Sequence, residues 1–229
     1  MMLLTLDELL ARTAALHNHL CPRQVLGVRM GMLAADVLKL DLPQSDKRLF
    51  TFLETDGCFA DGVAVATGCW LGHRTIRLMD FGKVAATFVD TQSNQAIRVW
   101  AHPESRRYAA EAEPTARSHW HAQLAAYQTL PANKLLCWQP IQLTISMEAI
   151  ISRPGIRVNC TYCGEEILNE REKIVNGEPV CRACAGEAYY HIDGLESLTL
   201  DNESSFSPDS VYGSLAGMSG LEMAASSES

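Results

Sequence analysis

The chain has 229 residues, 47% of them hydrophobic, and this composition excludes a wholly disordered protein. Its net charge is −8, but acids and bases nearly balance outside the carboxyl-terminal tail, so a nucleic-acid binder that neutralises phosphates is not expected. No apolar run is long enough to predict a membrane span, and eight cysteines without a secretory signal favour metal or thiol chemistry in a cytoplasmic protein over disulfides.

The amino-terminal part of the chain predicts two helices and a joint between them. Residues 3–17 carry leucines at helical spacing, and Pro22 suits the first turn of a second helix over 22–39. In this second helix Gly27 and Gly31 are four residues apart on one face. That spacing permits close packing against another backbone.

The middle of the chain mixes strand and helix patterns without strict alternation. This mixture predicts an α+β fold in which helices pack on a mixed or antiparallel sheet. We expect strands at 48–55, 82–90, 95–102 and 141–150, a short buried helix at 59–68, and a helical stretch over 104–129 that breaks near Pro114.

The strongest chemical signal is a pair of Cys-x-x-Cys motifs. The first contains Cys160 and Cys163, the second contains Cys181 and Cys184, and the segment 164–180 between them has the length found in four-thiolate zinc sites. Asn176-Gly177 predicts a hairpin between the pairs, and the residues after Cys181 look helical. We therefore predict a treble-clef finger with a structural Zn²⁺ ion, in preference to two disulfides or an iron site.

Three domains are expected from the changes in composition along the chain. An α+β core would occupy 1–152, the zinc finger 153–191, and an acidic, serine-rich tail 192–229. The tail has seven acids and no Lys or Arg, and we predict that it is disordered. The finger is also acidic overall, which favours a folding or protein-contact role over nucleic-acid binding.

A second candidate site lies at the joint between the first two helices. His17, His19 and Cys21 are two residues apart and directly precede Pro22, which biases the joint toward an extended backbone. In an extended segment these side chains would point the same way, whereas a continuous helix would separate His19 from the other two. Taken alone, the triplet is as compatible with a structural joint as with a metal site.

The segments 17–31 and 53–88 together resemble the family of the E subunit of formylmethanofuran dehydrogenase, and the resemblance covers about residues 1–190. Several members of that family append a treble-clef finger. The motifs that carry the resemblance are His-x-His-x-Cys-Pro (His17, His19, Cys21, Pro22), Glu-Thr-Asp-x-Cys (Glu54 to Cys58), Thr-Gly-Cys-x-Leu-Gly (Thr67 to Gly72) and aromatic-Gly-Lys (Phe81 to Lys83).

The resemblance implies an α+β core, a homodimer, and a second metal-binding or active site in the core. Asn18 and Arg23 depart from the glycines common at those positions in the family. The implied site has His17, His19, Cys21 and Cys58 lining one pocket, with Asp56 and Asp61 nearby.

The residues leave the role of this core site open. One hypothesis is an accessory or metal-handling protein that binds a second transition metal and associates with a molybdenum or tungsten enzyme system. Another is an independent zinc-dependent enzyme, with Cys21, Cys58, Asp56 and Asp61 as candidate catalytic residues and one of the aspartates as general base. A zinc-finger regulator that contacts nucleic acid would need a basic stripe, which is not apparent. We expect surface or core roles for His73, His102, His119, His121, Cys69 and Cys137.

Overall fold

The computed structural model describes residues 4–151 and 155–191, which belong to two compact units that divide after residue 153. The predicted disordered tail, 192–229, lies outside the described residues. The helices of the first unit are α1 (Leu6–His17), α2 (Pro22–Leu38), α3 (Cys58–Thr67), α4 (Ser105–Ala112), α5 (His119–Thr129), α6 (Ala132–Leu135) and α7 (Met147–Ile150).

A five-stranded sheet forms the other layer of the first unit. Its spatial order is β2-β1-β3-β4-β5, with β2 parallel to β1 and the other neighbours antiparallel. The predicted α+β class is confirmed. The strands are β1 (Leu49–Leu53), β2 (Ile76–Leu78), β3 (Ala85–Asp90), β4 (Gln95–Ala101) and β5 (Leu136–Ile141).

The main core lies between the helices and one face of the sheet. It includes Val28 and Met30 of α2, Phe59 of α3 and Phe88 of β3, all with 0% exposure. A smaller apolar cluster on the opposite face joins Phe50 to side chains of the segment that contains α7. The sheet is therefore buried on both faces over at least part of its area.

The two predicted helices at the amino terminus are confirmed. Thr5 caps α1 through a reciprocal pair of bonds, in which the Thr5 N–H donates to the Glu8 carboxylate at 2.7 Å and the Glu8 N–H donates to the Thr5 hydroxyl at 3.3 Å. α2 begins at Pro22, where the missing N–H costs no intrahelical bond.

Glycines bring α2 and α3 into backbone contact. A Cβ atom built on Gly27 would lie 2.4 Å from the carbonyl oxygen of Phe59, and one built on Gly31 would lie 2.6 Å from Cβ of Ala66. The close approach predicted from the glycine spacing is therefore confirmed, and its partner is α3.

The strand predicted at 141–150 was wrong. The strand ends at Ile141, and Ser146 then caps α7 by accepting a bond from the Ala149 N–H. The strand instead extends back through Pro140, a residue that ordinarily interrupts strands. Proline is tolerated here because β5 is an edge strand, on which a residue without an N–H need not break a ladder bond.

The second unit consists of two small hairpins and a helical turn. β6 (Arg157–Asn159) pairs with β7 (Glu166–Leu168), and β8 (Lys173–Val175) pairs with β9 (Glu178–Val180). The predicted turn at Asn176-Gly177 is confirmed, since both residues have positive φ, 52° and 86°. A short helix, α8 (Ala183–Glu187), follows.

Within 4–151 and 155–191, no helix combines the length and the hydropathy needed to cross a membrane.

Candidate metal centres

The four finger cysteines converge on one point. Cys160 and Cys163 lie in the turn between β6 and β7, Cys181 follows β9, and Cys184 lies in α8. Their four sulfur atoms all lie within 4.8 Å of one another, and the Cys163 and Cys181 sulfurs are 3.9 Å apart. Tetrahedral zinc–thiolate bonds of about 2.3 Å place sulfurs about 3.8 Å apart. The donor set therefore fits Zn²⁺.

Backbone amides prepare the finger sulfurs for a cation. The Cys181 N–H donates to the Cys160 sulfur at 3.3 Å, and the Cys184 N–H donates to the Cys181 sulfur at 3.4 Å. The amides of Cys181 and Cys163 lower the pKa of Cys160 to about 6. The adjacent Cys181 sulfur and burial raise the pKa of Cys184 to about 12. Without a cation, one thiolate thus makes the next one harder to form, and an ion relieves that conflict.

The core candidates lie where α1, α2 and α3 begin or end. His17 is the last residue of α1, and Cys21 is the extended residue that precedes α2. Cys58 is the first residue of α3, and Asp61 lies in its first turn. Asn18 adopts the left-handed conformation, with φ 57°, which asparagine tolerates better than most residues other than glycine.

The structure brings two pairs of these side chains together. The Cys58 thiol lies near the Cys21 thiol, and burial, followed by the effect of this neighbour, raises the pKa of Cys58. His17 Nε2 lies 2.6 Å from the Asp61 carboxylate. Cys21 is buried, whereas the other three residues are half-buried. Each pair therefore joins two residues that are far apart in the sequence and lie at the ends of different helices.

The remaining candidates lie at the rim or elsewhere. His19 is exposed, its Nδ1 bonds to the His17 carbonyl at 2.9 Å, and its ring lies 5.6 Å from that of His17. Asp56 is exposed in the loop before α3. Among the described residues, only the finger cysteines form a group of three or more metal-binding side chains whose ligand atoms come this close, within 4.8 Å of one another. The core imidazoles would have to turn to complete a comparable group with the two thiols.

Two buried polar contacts near the core cluster were not identified from the sequence. Gln24 is fully buried, and its Oε1 accepts from the Cys21 N–H at 2.7 Å. Gln24 stands three residues after Cys21, the residue that precedes α2, and this spacing is the capping-box pattern. That pattern could have revealed the contact from the sequence. Arg98 forms a bidentate pair with buried Glu54, at 2.6 and 2.7 Å, just before the loop that leads to Cys58. Strand alternation alone gives no signal for that second pair.

The remaining histidines and cysteines considered in the sequence analysis lie outside the two clusters. Cys69 is buried, and its thiol donates to the Leu49 carbonyl at 3.4 Å, as expected for a core cysteine. His121 bonds to its neighbours Ser118 and Arg117 at the start of α5. His73 and His119 are exposed, whereas His102 and Cys137 are half-buried.

Comparison with known proteins identifies both units. Residues 16–137 match the family described as FmdE, molybdenum formylmethanofuran dehydrogenase operon. This chain belongs to the FmdE family. Residues 155–190 match the prokaryotic dksA/traR C4-type zinc finger. Together with the convergent cysteines, this second match establishes a zinc-binding finger that follows the FmdE domain along the chain.

Two individual proteins extend the comparison of this FmdE-family chain. A relative from Archaeoglobus fulgidus, named a probable S-adenosyl-L-methionine-binding protein, is 28% identical over 221 residues, which cover 86% of this chain. The chain spans 58% of that relative's length. A tungsten formylmethanofuran dehydrogenase FmdE-like protein from Syntrophus aciditrophicus superposes with a TM-score of 0.54 at 18% identity, covering 82% of this chain and 96% of the other. At that identity the likeness establishes the shared fold.

Proposed function

We propose that this protein binds a second transition-metal ion in its FmdE domain and serves as an accessory or metal-handling protein. The observation that carries the proposal is the Cys21–Cys58 pair, in which the residue preceding α2 and the first residue of α3 bring two thiols near each other close to the protein surface. Two thiolates and an imidazole form a borderline-soft donor set that suits zinc, and other transition metals can compete for it.

The hydrogen bonds of the imidazoles indicate which nitrogen would bind the ion. A carbonyl oxygen only accepts, so His19 must carry its proton on Nδ1, which leaves the Nε2 lone pair free. Asp61 accepts from His17 Nε2, so in neutral His17 the free lone pair is on Nδ1. His19 is exposed, so its side chain can turn toward the two sulfurs by giving up the bond to the His17 carbonyl, without disturbing a packed core.

An independent zinc-dependent enzyme is the alternative, and the His17–Asp61 pair favours it. A carboxylate that holds an imidazole in one orientation is a common arrangement in acid–base catalysis. With His19, Cys21 and Cys58 as ligands, the fourth position would be open to water or substrate, and His17 with Asp61 would be available to move a proton. Asp56 is the weaker candidate base because no contact orients it toward the cluster.

We also propose partners for this protein. It would be a cytoplasmic homodimer that associates with a molybdenum or tungsten enzyme system, and the names of the family and of the structural relative support that association. The name of the Archaeoglobus relative makes S-adenosyl-L-methionine the first small molecule to test as a ligand. The acidic finger supports a protein partner over a nucleic acid.

Metal stoichiometry of the full chain tests the proposal. Elemental analysis should find two ions per chain in the wild type, one in Cys21→Ala/Cys58→Ala, and one in Cys160→Ala/Cys163→Ala. Cys137→Ala is the matched control, because Cys137 carries a half-buried thiol that belongs to neither cluster. This variant should retain both ions. A single ion per wild-type chain, lost only in the finger variant, would reduce the core cluster to a structural joint.

Cobalt substitution separates the accessory protein from the enzyme. If the core site has an open position, added azide should shift the visible absorption of the core Co²⁺ while the closed finger site stays unchanged. Such a shift favours the enzyme hypothesis. Replacing Asp61 by Asn should then alter the pH dependence of the azide-induced shift. A core spectrum that azide does not change favours the accessory role.

A further inference from the structure

A buried glutamine ties together the three helices that meet at the core cluster. Gln24 and Thr13 are both 0% exposed. Gln24 Oε1 accepts from the Cys21 N–H at 2.7 Å, and its Nε2 donates to the Thr13 carbonyl at 2.9 Å. Both ends of the side-chain amide are therefore used, one on Cys21, which precedes α2, and the other on Thr13 in α1.

The backbone of the same residue contacts the third helix. A Cβ atom built on Gly62 would lie 2.4 Å from the Gln24 carbonyl oxygen, so α3 reaches this point only because residue 62 is glycine. Cys21 precedes Gln24 by three residues, and Cys58 precedes Gly62 by four. The contact between the helices thus lies about one helical turn from each sulfur.

Helix capping alone does not account for this arrangement. A capping glutamine needs only its oxygen to accept from the N–H before the helix. Here the amide is fully buried, which is unfavourable unless both of its ends are bonded, and its nitrogen reaches back 11 residues to α1. The second bond fixes the spacing between α1 and α2 across the joint that contains His17, His19 and Cys21.

We propose that Gln24 is a positioning residue for the core metal site, holding Cys21 close to Cys58. This inference rests on the proposed function, since it requires the core to bind an ion. Gln24 does not itself contact the ion. It acts through the Cys21 backbone and through the separation of the helices that carry the ligands.

The test measures core metal affinity while the finger ion serves as an internal reference. Gln24→Met keeps the length of the side chain and removes both polar contacts. Its core Co²⁺ should bind about tenfold more weakly and have an altered visible spectrum, because outer-sphere partners of metal ligands typically affect affinity on that scale. Finger affinity, measured in the same titration against a chromophoric chelator, should not change.

Arg29→Met is the control for a purely structural effect. Arg29 lies further along α2, and its guanidinium donates to the carbonyls of Tyr127, Gln128 and Leu130 at the end of α5. This variant should destabilise the same unit and leave core affinity and the cobalt spectrum unchanged. If Gln24→Met weakens core binding no more than Arg29→Met does, the positioning role is refuted.

Gln24→Glu is a second variant that keeps the proposal testable if Gln24→Met does not fold. Its carboxylate still accepts from the Cys21 N–H but cannot donate to the Thr13 carbonyl, so it keeps one of the two wild-type contacts. We expect a core affinity between those of wild type and Gln24→Met. A folded Gln24→Glu protein that loses core binding as completely as Cys21→Ala/Cys58→Ala would overturn the proposal. A wild-type protein with no core ion would instead refute the proposed function, whatever the Gln24 variants do.

Discussion

The contact between α2 and α3 should not tolerate a methyl group at Gly27. The Cβ atom of Gly27→Ala would lie 2.4 Å from the Phe59 carbonyl oxygen and 2.8 Å from the Val63 nitrogen, whereas ordinary contacts begin near 3.4 Å. Both obstacles are backbone atoms of α3, so no change of side-chain rotamer can relieve them. The helices must move apart by about 1 Å, or one of them must bend.

Two opposing effects set the magnitude of the change. Overpacking costs about 1–3 kcal/mol, and we take the upper end, about 3 kcal/mol, because the obstacle is backbone. Alanine is better than glycine in a helix interior by about 1 kcal/mol. The net loss in the free energy of unfolding should be about 2 kcal/mol. For a unit of this size that corresponds to a fall in Tm of roughly 4–8 °C.

Differential scanning calorimetry of the full chain measures this shift. Gly31→Ala/Ala66→Gly is the matched control, because the Cβ built on Gly31 lies 2.6 Å from the Ala66 Cβ, which the second change removes. The double variant should melt near the wild type, since one helix gains and the other loses the same glycine-to-alanine preference. If Gly27→Ala melts at or above the wild-type temperature, the helices are not in backbone contact and the reasoning fails.

Three further predictions concern other contacts. Arg29→Met should lower the stability of the first unit to urea by roughly 1–2 kcal/mol, because three carbonyl groups lose a charged donor. Hydrogen bonds from the Arg48 guanidinium hold the pKa of buried Asp90 well below its ordinary value, so Asp90 stabilises the fold above about pH 4 and loses that effect as the pH falls. The urea midpoint of Asp90→Asn should therefore be furthest below wild type at pH 7 and approach it in acid. Removal of zinc by a chelator should abolish the amide chemical-shift dispersion of residues 155–191 and preserve that of the first unit, and dispersion retained in the apo finger would contradict this.

The finger could be predicted because its determinants are local. The two Cys-x-x-Cys motifs and Asn176-Gly177 each act over a short stretch of chain, and the intervening segment 164–180 is long enough for two short strands and a turn. By contrast, β2 was not predicted. It is very short, and its place in the sheet depends on parallel pairing with β1, from which α3 separates it along the chain. A strand of that length has no periodic pattern strong enough to mark it.

The core cluster was only partly predictable for a related reason. The joint at Pro22 and the glycine spacing of α2 are visible in the sequence, but the partner of those glycines is not. His17 and Asp61 are 44 residues apart, and their pairing depends on how α3 packs against α1. The family resemblance placed these residues near one another, whereas neither composition nor periodicity could indicate which carboxylate would meet which imidazole.

The two candidate centres differ in what holds their ligands together. In the finger, the packed cluster contains few apolar side chains besides the cysteines, chiefly Ile167 and Val180, so the ion itself must provide much of the folding free energy. In the core, Cys21 and Cys58 are attached to helices whose separation is set by glycine contacts within a large apolar core. Their sulfurs should stay close whether or not an ion is bound. A site of this kind can release and rebind a metal without unfolding, which a metal-handling protein requires and a purely structural zinc site does not.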